Sequence, residues 1–195
     1  IEFNGEENQY INNQIVKYDH KTLTGCLSFV KNTFINSNLS VKYSNCEDGI
    51  NIINSNGNIN SIDSKYSVLD GIDLDFSDLF INNIKINNSG NDCIDFSSGN
   101  YEINKFKLSS CGDKGISIGE KTFAKIENVE IDKAAIGIAS KDSSEVFINQ
   151  SLILNTNNCL ATYKKKQEFD GGFLKIATSQ CKNFEKNKLE DEFSK

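Results

Sequence analysis

Carboxylate side chains recur in this sequence at intervals of 22 residues, and their spacing points to acid–base chemistry. Asp70 and Asp92 each stand two residues before an isoleucine, and Asp73 and Asp95 follow them three positions later. Carboxyl groups held close together raise one another's pKa, which suits a general acid. Several such oxygens are also typical of Ca²⁺ chelation. The sequence therefore predicts either a proton-transferring site or a calcium site here.

Two lysines occupy the same repeating positions. Lys114 stands 22 residues after Asp92, and Lys141 stands three repeats after Asp75. Ammonium groups there can neutralise the carboxylate of a uronic acid, as a lyase or an epimerase requires before proton abstraction. A charged strip is more often a solvated surface. However, like charges on neighbouring strands destabilise a sheet, so we favour a functional role for this one.

The elements that must position these side chains follow from an internal repeat. One tripeptide motif recurs in five consecutive copies, each 22 residues after the last, at 48–50, 70–72, 92–94, 114–116 and 136–138. Looser copies lie at 25–27 and 159–161. Self-similarity at a fixed period of this length is typical of a solenoid, in which each unit buries its apolar face against the next.

Within each unit the apolar residues alternate in short bursts separated by Asn, Ser, Gly and Asp, which is the pattern of short strands and tight turns. We therefore predict an all-β parallel β-helix (solenoid) of about seven 22-residue coils over residues 21–181. Residues 1–20 form an N-terminal cap that contains His20, for which a catalytic role is not expected. Residues 182–195 form a charged C-terminal tail, either frayed or a short helix.

Composition excludes several classes of function. The chain has 195 residues, a formal net charge of −6 and no arginine, which argues against a nucleic-acid partner. No apolar run approaches the roughly 18 residues of a membrane span. Six cysteines permit disulfides and an oxidising compartment. Cys159 and Cys181, one repeat apart, are expected on adjacent coils, close enough to bridge or to stack.

Four successive segments of the repeat resemble the motifs of polygalacturonases, pectin-hydrolysing glycoside hydrolases with a right-handed, pectin-lyase-like parallel β-helix. The matching segments are 70–73 (DGID), 90–94 (GNDCI), 112–119 (GDKGISIG) and 137–141 (GIASK). The resemblance implies a right-handed β-helix and a disulfide between Cys93 and Cys111. It also implies an extracellular or cell-surface location and a polysaccharide partner that contains uronic acid.

The resemblance assigns roles to individual residues. Asp70, Asp92 and Lys114 fall at catalytic positions, and Lys141 falls at a substrate-binding position, to which we add the outward-facing Asp73 and Asp95. The chain departs from the family pattern at three places. Asn91 replaces the third catalytic aspartate, Lys114 replaces the histidine and Ala139 replaces the arginine that holds the substrate carboxylate.

Two functions are consistent with this pattern. The first is an extracellular carbohydrate-active protein that binds an acidic polysaccharide along one sheet and, if it is an enzyme, acts as a hydrolase, lyase or epimerase. The second is a noncatalytic structural or adhesive segment of the tail-spike type, in which the β-helix is a rigid rod. Tyr163, Phe169 and Phe173 are expected to pack in the core in preference to stacking on sugars.

Overall fold

A computed structural model describes residues 1–11 and 23–194 of the chain; His20 lies outside the described residues. The secondary structure is almost entirely β. Its elements, in chain order, are β1 (Glu2–Asn4), α1 (Glu7–Ile11), β2 (Gly25–Val30), β3 (Thr33–Ser44), β4 (Asp48–Ile53), β5 (Asn56–Ser67), β6 (Asp70–Ser89), β7 (Ile94–Cys111), β8 (Lys114–Gly119), β9 (Phe123–Lys141), β10 (Glu145–Tyr163) and β11 (Phe173–Glu190).

These strands wind into a right-handed parallel β-helix, which confirms the predicted fold. Every strand pairing is parallel, and most paired residues lie 22 positions apart, so that Ile72 pairs with Ile94 and Ile94 with Ile116. The structure has about six turns, one fewer than the sequence suggested. The longest break in the repeat is the connection 164–172 between β10 and β11, after which paired residues lie 28 positions apart.

Each coil contributes a short stretch to three faces of the solenoid, which we call the first, second and third sheets. In the coil that begins at Asp70, the first sheet holds 70–75, the second 78–81 and the third 84–89. The other coils contribute the equivalent residues one repeat before or after. The acidic residues and lysines singled out above all belong to the first sheet.

Columns of apolar side chains fill the interior. The isoleucine column of the first sheet is 0% exposed at five consecutive coils, listed as Ile50, Ile72, Ile94, Ile116 and Ile138. A second inward column beside it contains Ile52, Leu74, Phe96 and Ile118. Burying one such side chain contributes about 1.5–3 kcal/mol, so the stack supplies the main stabilisation that no single coil could provide.

Turns between sheets use the left-handed backbone conformation, again in register. The corner between the first and second sheets has a positive φ on six coils, at Lys31, Asn54, Phe76, Ser98, Glu120 and Asp142. Asn and Asp tolerate this conformation better than other non-glycine residues. Residues at the corner after the third sheet also have a positive φ, among them Asn155 and Asn183. Asn183 Nδ2 donates a hydrogen bond to Asn155 Oδ1 at 3.0 Å, which links neighbouring coils.

All six cysteines are bridged. Cys93–Cys111 and Cys159–Cys181 join residues whose Cα atoms lie 5.2 and 6.2 Å apart, and both pairs were anticipated from the sequence. The third bridge, Cys26–Cys46, closes the first coil and was not predicted. Together the three disulfides indicate folding in an oxidising compartment outside the cytoplasm.

The two ends of the described chain differ from each other. At the start, β1 pairs with residues 40–42 of β3, so the first residues lie against the first coil as the predicted cap would. At the other end, β11 runs to Glu190 and pairs with β10 as far as Thr162. Residues 182–190 are therefore strand, and the expectation of a helix or a frayed tail there was wrong. Their charged side chains suit a strand with an open edge.

We expect Ile94→Ala to lower the free energy of unfolding by about 2–5 kcal/mol, because the cavity would lie in the middle of the column where neighbouring coils cannot collapse into it. Urea denaturation followed by far-UV circular dichroism measures this. Ile35→Ala is the matched control, since Ile35 is 79% exposed and its loss should change stability by less than about 0.5 kcal/mol. Equal effects of the two substitutions would contradict the assigned core.

Candidate functional site

The first sheet carries the candidate site on its outward side. Parallel pairing aligns Asn51 with Asp73, Asp73 with Asp95 and Asp95 with Ser117. Because Ile72 and Leu74 face the core, Asp73 and Asp75 point away from it on the same strand. The register and the outward direction predicted from the repeat are thus present in the structure.

Three part-exposed carboxyl groups form the centre of this surface, and we call Asp73, Asp75 and Asp95 the carboxylate triad. Asn51 Nδ2 donates to Asp73 Oδ2 at 3.3 Å and to Asp75 Oδ2 at 3.2 Å, which joins the coil before the triad to it. Asp73 and Asp75 stand two positions apart on the same face of the strand, so the single amide of Asn51 contacts both carboxyl groups.

Lys141 reaches the triad from two coils away. Its Nζ donates to Ser117 Oγ at 2.7 Å and lies 3.4 Å from Asp95 Oδ1. The stem crosses Gly119, where a Cβ would stand only 2.7 Å from Lys141 Cε, so the missing side chain of Gly119 makes room for it. Lys141 is only 5% exposed. Its charge is therefore used inside the protein, as the partner of Asp95.

Asp70 and Asp92 lie at the edge of the same sheet and have a different role. Asp70 Oδ1 accepts the backbone N–H of Asp92 at 2.8 Å and the Nδ2 of Asn91 at 2.7 Å. Asp92 Oδ1 likewise accepts the backbone N–H of Lys114 at 2.9 Å. Each carboxylate thus fastens its coil to the next one where the chain turns. Asp92 is only 4% exposed, so little of it is open to a ligand.

Lys114 completes this edge. Its Nζ lies 3.3 Å from Asp92 Oδ1 and also pairs with Asp113. Burial lowers the pKa of Lys114, but its hydrogen bond to Asp113 and the charge of Asp92 outweigh burial and raise that pKa above its ordinary value. The ammonium group is therefore retained at all physiological pH values and is already paired with two carboxylates.

Burial sets the protonation of the acidic groups. Desolvation, reinforced by the charges of Asp48, Asp75 and Asp95, raises the pKa of Asp73 to about 9. Desolvation likewise raises the pKa of Asp48 to about 7 and that of Asp70 to about 6, where Asp92 adds repulsion. At neutral pH, Asp73 therefore retains its proton and can donate it, as general acid chemistry requires.

The structure thus brings the six predicted site residues to one sheet but divides them into two groups. Asp73, Asp95 and Lys141 form one group, in which the carboxyl groups are part-exposed and Lys141 is buried. Asp70, Asp92 and Lys114 form a hydrogen-bonded edge, in which Asp92 is buried and the other two are part-exposed. The groups are electrically coupled, because Asp95 contributes to the raised pKa of both Asp70 and Asp92. Catalysis and ligand binding by these residues stay predictions.

Sequence reasoning missed Phe76, which directly follows Asp75. Its side chain is 60% exposed although its backbone φ is 49°, a conformation that costs an ordinary residue about 1–2 kcal/mol. The equivalent positions on the other coils hold Lys31, Asn54, Ser98, Glu120 and Asp142. The 22-residue register alone could have revealed a lone aromatic ring in this polar column beside the triad.

Among residues 1–11 and 23–194, no three Asp, Glu, His or Cys side chains come together in a way that could hold a metal ion. Two buried oxygens near the triad, Asp48 Oδ2 and Asn51 Oδ1, have no hydrogen-bond partner. In the same described ranges, no helix has the length and apolar character needed to cross a bilayer.

Compared with protein-family models, curated proteins and solved structures, the chain gives no match. The resemblance to polygalacturonases therefore depends on the four motif segments alone. The β-helix itself is independent of that resemblance, since it follows from the strand pairing.

Stability should fall as pH rises, because the folded-state pKa values of these buried carboxyl groups lie above the unfolded value near 3.8. Their contribution is complete below pH 4 and is lost as pH passes through about 6, 7 and 9, at Asp70, Asp48 and Asp73 respectively. We expect a Tm about 5 °C lower at pH 8.5 than at pH 5.

Scanning calorimetry at fixed ionic strength measures the Tm at pH 5 and at pH 8.5. Asp73→Asn, which mimics the protonated group, should reduce the pH dependence, whereas Asp63→Asn on the third sheet should leave it unchanged. A Tm that rises between pH 5 and pH 8.5 would contradict the assignment.

Proposed function

We propose that this is an extracytoplasmic β-helix protein that binds a polysaccharide along the outward surface of its first sheet, with the carboxylate triad as the reactive centre. The observation that carries the proposal is the placement of Asp73, Asp75 and Asp95 on two adjacent coils, part-exposed and facing the same side. A row of carboxyl groups along the solenoid axis matches an extended chain of hydroxyl-bearing units.

The chemistry of the surface suits sugars. Carboxylate oxygens accept hydrogen bonds from hydroxyl groups, and protonated Asp73 also donates. Phe76 lies beside the triad and offers a ring against which the apolar C–H face of a sugar can pack. The backbone at Phe76 is strained and its ring is exposed, so this residue does not stabilise the fold. A contact with a ligand would explain why an aromatic ring occurs here.

The acid–base roles fit Asp73 and Asp95 better than Asp70 and Asp92. Asp70 and Asp92 each use one oxygen to hold the backbone of the next coil. Asp73 holds a proton at neutral pH, and Asp95, its paired residue one coil away, supplies the second carboxyl group that glycoside hydrolysis needs.

The charges favour a neutral polysaccharide over a uronate polymer. Both lysines that the sequence assigned to a uronate carboxylate are already paired, Lys114 with Asp92 and Asp113, and Lys141 with Asp95. A polyanion would instead meet the triad, whose net charge is negative even with Asp73 protonated. Like-charge contacts of this kind oppose binding.

A structural role without catalysis is the second candidate. The hydrogen bonds of Asp70 and Asp92 to the next coil favour it, since they show carboxylates of this sheet stabilising the solenoid itself. On this alternative the β-helix is a rigid rod, and the triad is solvated surface without a ligand.

A glycan array with neutral and uronic-acid oligosaccharides, read with and without added Ca²⁺, tests the proposal. We expect binding of neutral glycans by the wild type, and release of reducing ends where the glycan is cleaved. Asp95→Asn should weaken binding about ten-fold, and Asp73→Asn should abolish cleavage while leaving the Tm at pH 7 unchanged or raised, because the repulsion around Asp73 is relieved.

Asp63→Asn is the matched control. Asp63 is a part-exposed aspartate on the third sheet, paired with Lys65 at 3.5 Å, and its substitution should affect neither binding nor cleavage. Absence of glycan binding by the wild type, or unchanged binding in both triad variants, would refute the proposal and support the structural alternative. Preference for uronate polymers would refute the charge argument alone.

A further inference from the structure

The outward side of the second sheet carries phenylalanines where most coils have polar residues. Phe123, Phe147 and Phe173 follow one another on the last three coils, with ring centroids 5.9 and 5.5 Å apart. All three are part-exposed. Phe147 lies between the buried Val146 and Ile148, which fixes its direction away from the core. The expectation that Phe173 packs in the core was wrong, because its ring contacts Phe147 on the outside.

Phe80 extends the row toward the N-terminus. It is exposed, lies two coils before Phe123, and lines a groove of about 350 Å³ together with it. We call Phe80, Phe123, Phe147 and Phe173 the phenylalanine ladder. The strand register puts Phe123 and Phe173 in one outward column, and Phe80 and Phe147 in the column two residues further along the strand. The rings therefore form a zigzag along the solenoid axis, and a linear polymer on that axis could contact several of them.

Polar groups border the ladder at two grooves. The groove between Phe80 and Phe123 is bordered by Asp78, Asn100 and Glu102. A second groove of about 360 Å³ beside Phe147 is lined by residues that include Lys125, Glu127, Asn149 and Lys175. Flat rings with donors and acceptors placed around them are the composition of a site for a ligand that is apolar on its faces and polar at its edges.

Cross-strand ring contacts also stabilise sheets without any ligand, and this is the ordinary explanation of such a row. Two features of the phenylalanine ladder are not explained by packing alone. Phe80 makes no ring contact with the other three, yet it shares a groove with Phe123. One groove also lies open between two rings, Phe80 and Phe123, and a second lies open beside Phe147, whereas a row that served only packing would close this space.

We infer that the phenylalanine ladder is a second binding platform, separate from the carboxylate triad, for a neutral glycan chain lying along the solenoid axis. The two grooves together carry two lysines, Lys125 and Lys175, against three carboxylates, Asp78, Glu102 and Glu127, so this surface does not attract a polyanion. The amide and ammonium groups around the rings donate hydrogen bonds, and the carboxylate groups accept them. The hydroxyl groups of a sugar can pair with both kinds, because they donate and accept. A protein partner would need about 800 Å² of contact surface, more than these small grooves provide.

Isothermal titration with cellohexaose, xylohexaose and hexa-N-acetylchitohexaose, with trigalacturonate as the charged comparator, tests this inference. Phe147→Leu keeps an apolar side chain in place but removes the flat ring, and it should weaken neutral-glycan affinity about ten-fold with a Tm within a few degrees of the wild type. Phe147→Tyr should retain affinity. Phe184→Ala removes an exposed phenylalanine outside the ladder and should have no effect.

The two sites are distinguished by crossing the variants. If both sites bind, the titration shows two binding steps: Asp95→Asn should weaken the triad step about ten-fold and leave the ladder step intact, whereas Phe147→Leu should weaken only the ladder step and leave any cleavage at the triad intact. Either site can therefore fail without the other. Wild-type affinity in Phe147→Leu and Phe123→Leu would overturn the inference. Binding of trigalacturonate alone would also overturn it, as would a concentration-dependent dimer that Phe147→Leu dissolves while no glycan binds.

Discussion

Parallel stacking of coils at a spacing of about 4.8 Å is the constraint on which the rest of this structure depends. Because the repeat is 22 residues long, each side chain lies directly beside its counterpart one repeat away. Apolar positions gain from this arrangement, and the isoleucine column of the first sheet results from it. Charged positions lose by it, since the same register brings aspartates into line across Asp48, Asp70 and Asp92, and across Asp73 and Asp95.

The protein relieves that repulsion in three different ways. Burial and the neighbouring charges raise the pKa of Asp73 to about 9, so this residue keeps a proton at neutral pH. Lys141 spans two coils to place an ammonium group beside Asp95. Asp70 and Asp92 direct oxygens at backbone N–H groups of the following coil. The first of these leaves a carboxyl group that holds a proton, and the acid role proposed for the triad depends on it.

Contacts that stabilise the solenoid and the proposed site lie side by side on this surface. The edge formed by Asp70, Asp92 and Lys114 holds successive coils together, and the triad beside it is part-exposed. The corner at Phe76 lies next to the triad, and the second sheet with its phenylalanine ladder begins just beyond that corner. A solenoid can carry distinct surfaces of this kind because each sheet presents its own outward columns while all three share one core.

The sequence by itself determined the β-helix, the register and the membership of each column, because a fixed 22-residue period leaves the chain only one way to bury its alternating apolar residues. It also placed Cys159 and Cys181 on adjacent coils. It could not show that Lys141 reaches Asp95, that Asp73 retains its proton or that Cys26 bridges Cys46, since these depend on how far side chains reach and how much water remains around them. The outward direction of Phe173 and the strand at 182–190 were likewise decided by the tertiary structure. Both lie beyond the long connection 164–172, where the period is interrupted and pairing with β10, not the repeat, sets the direction of each side chain.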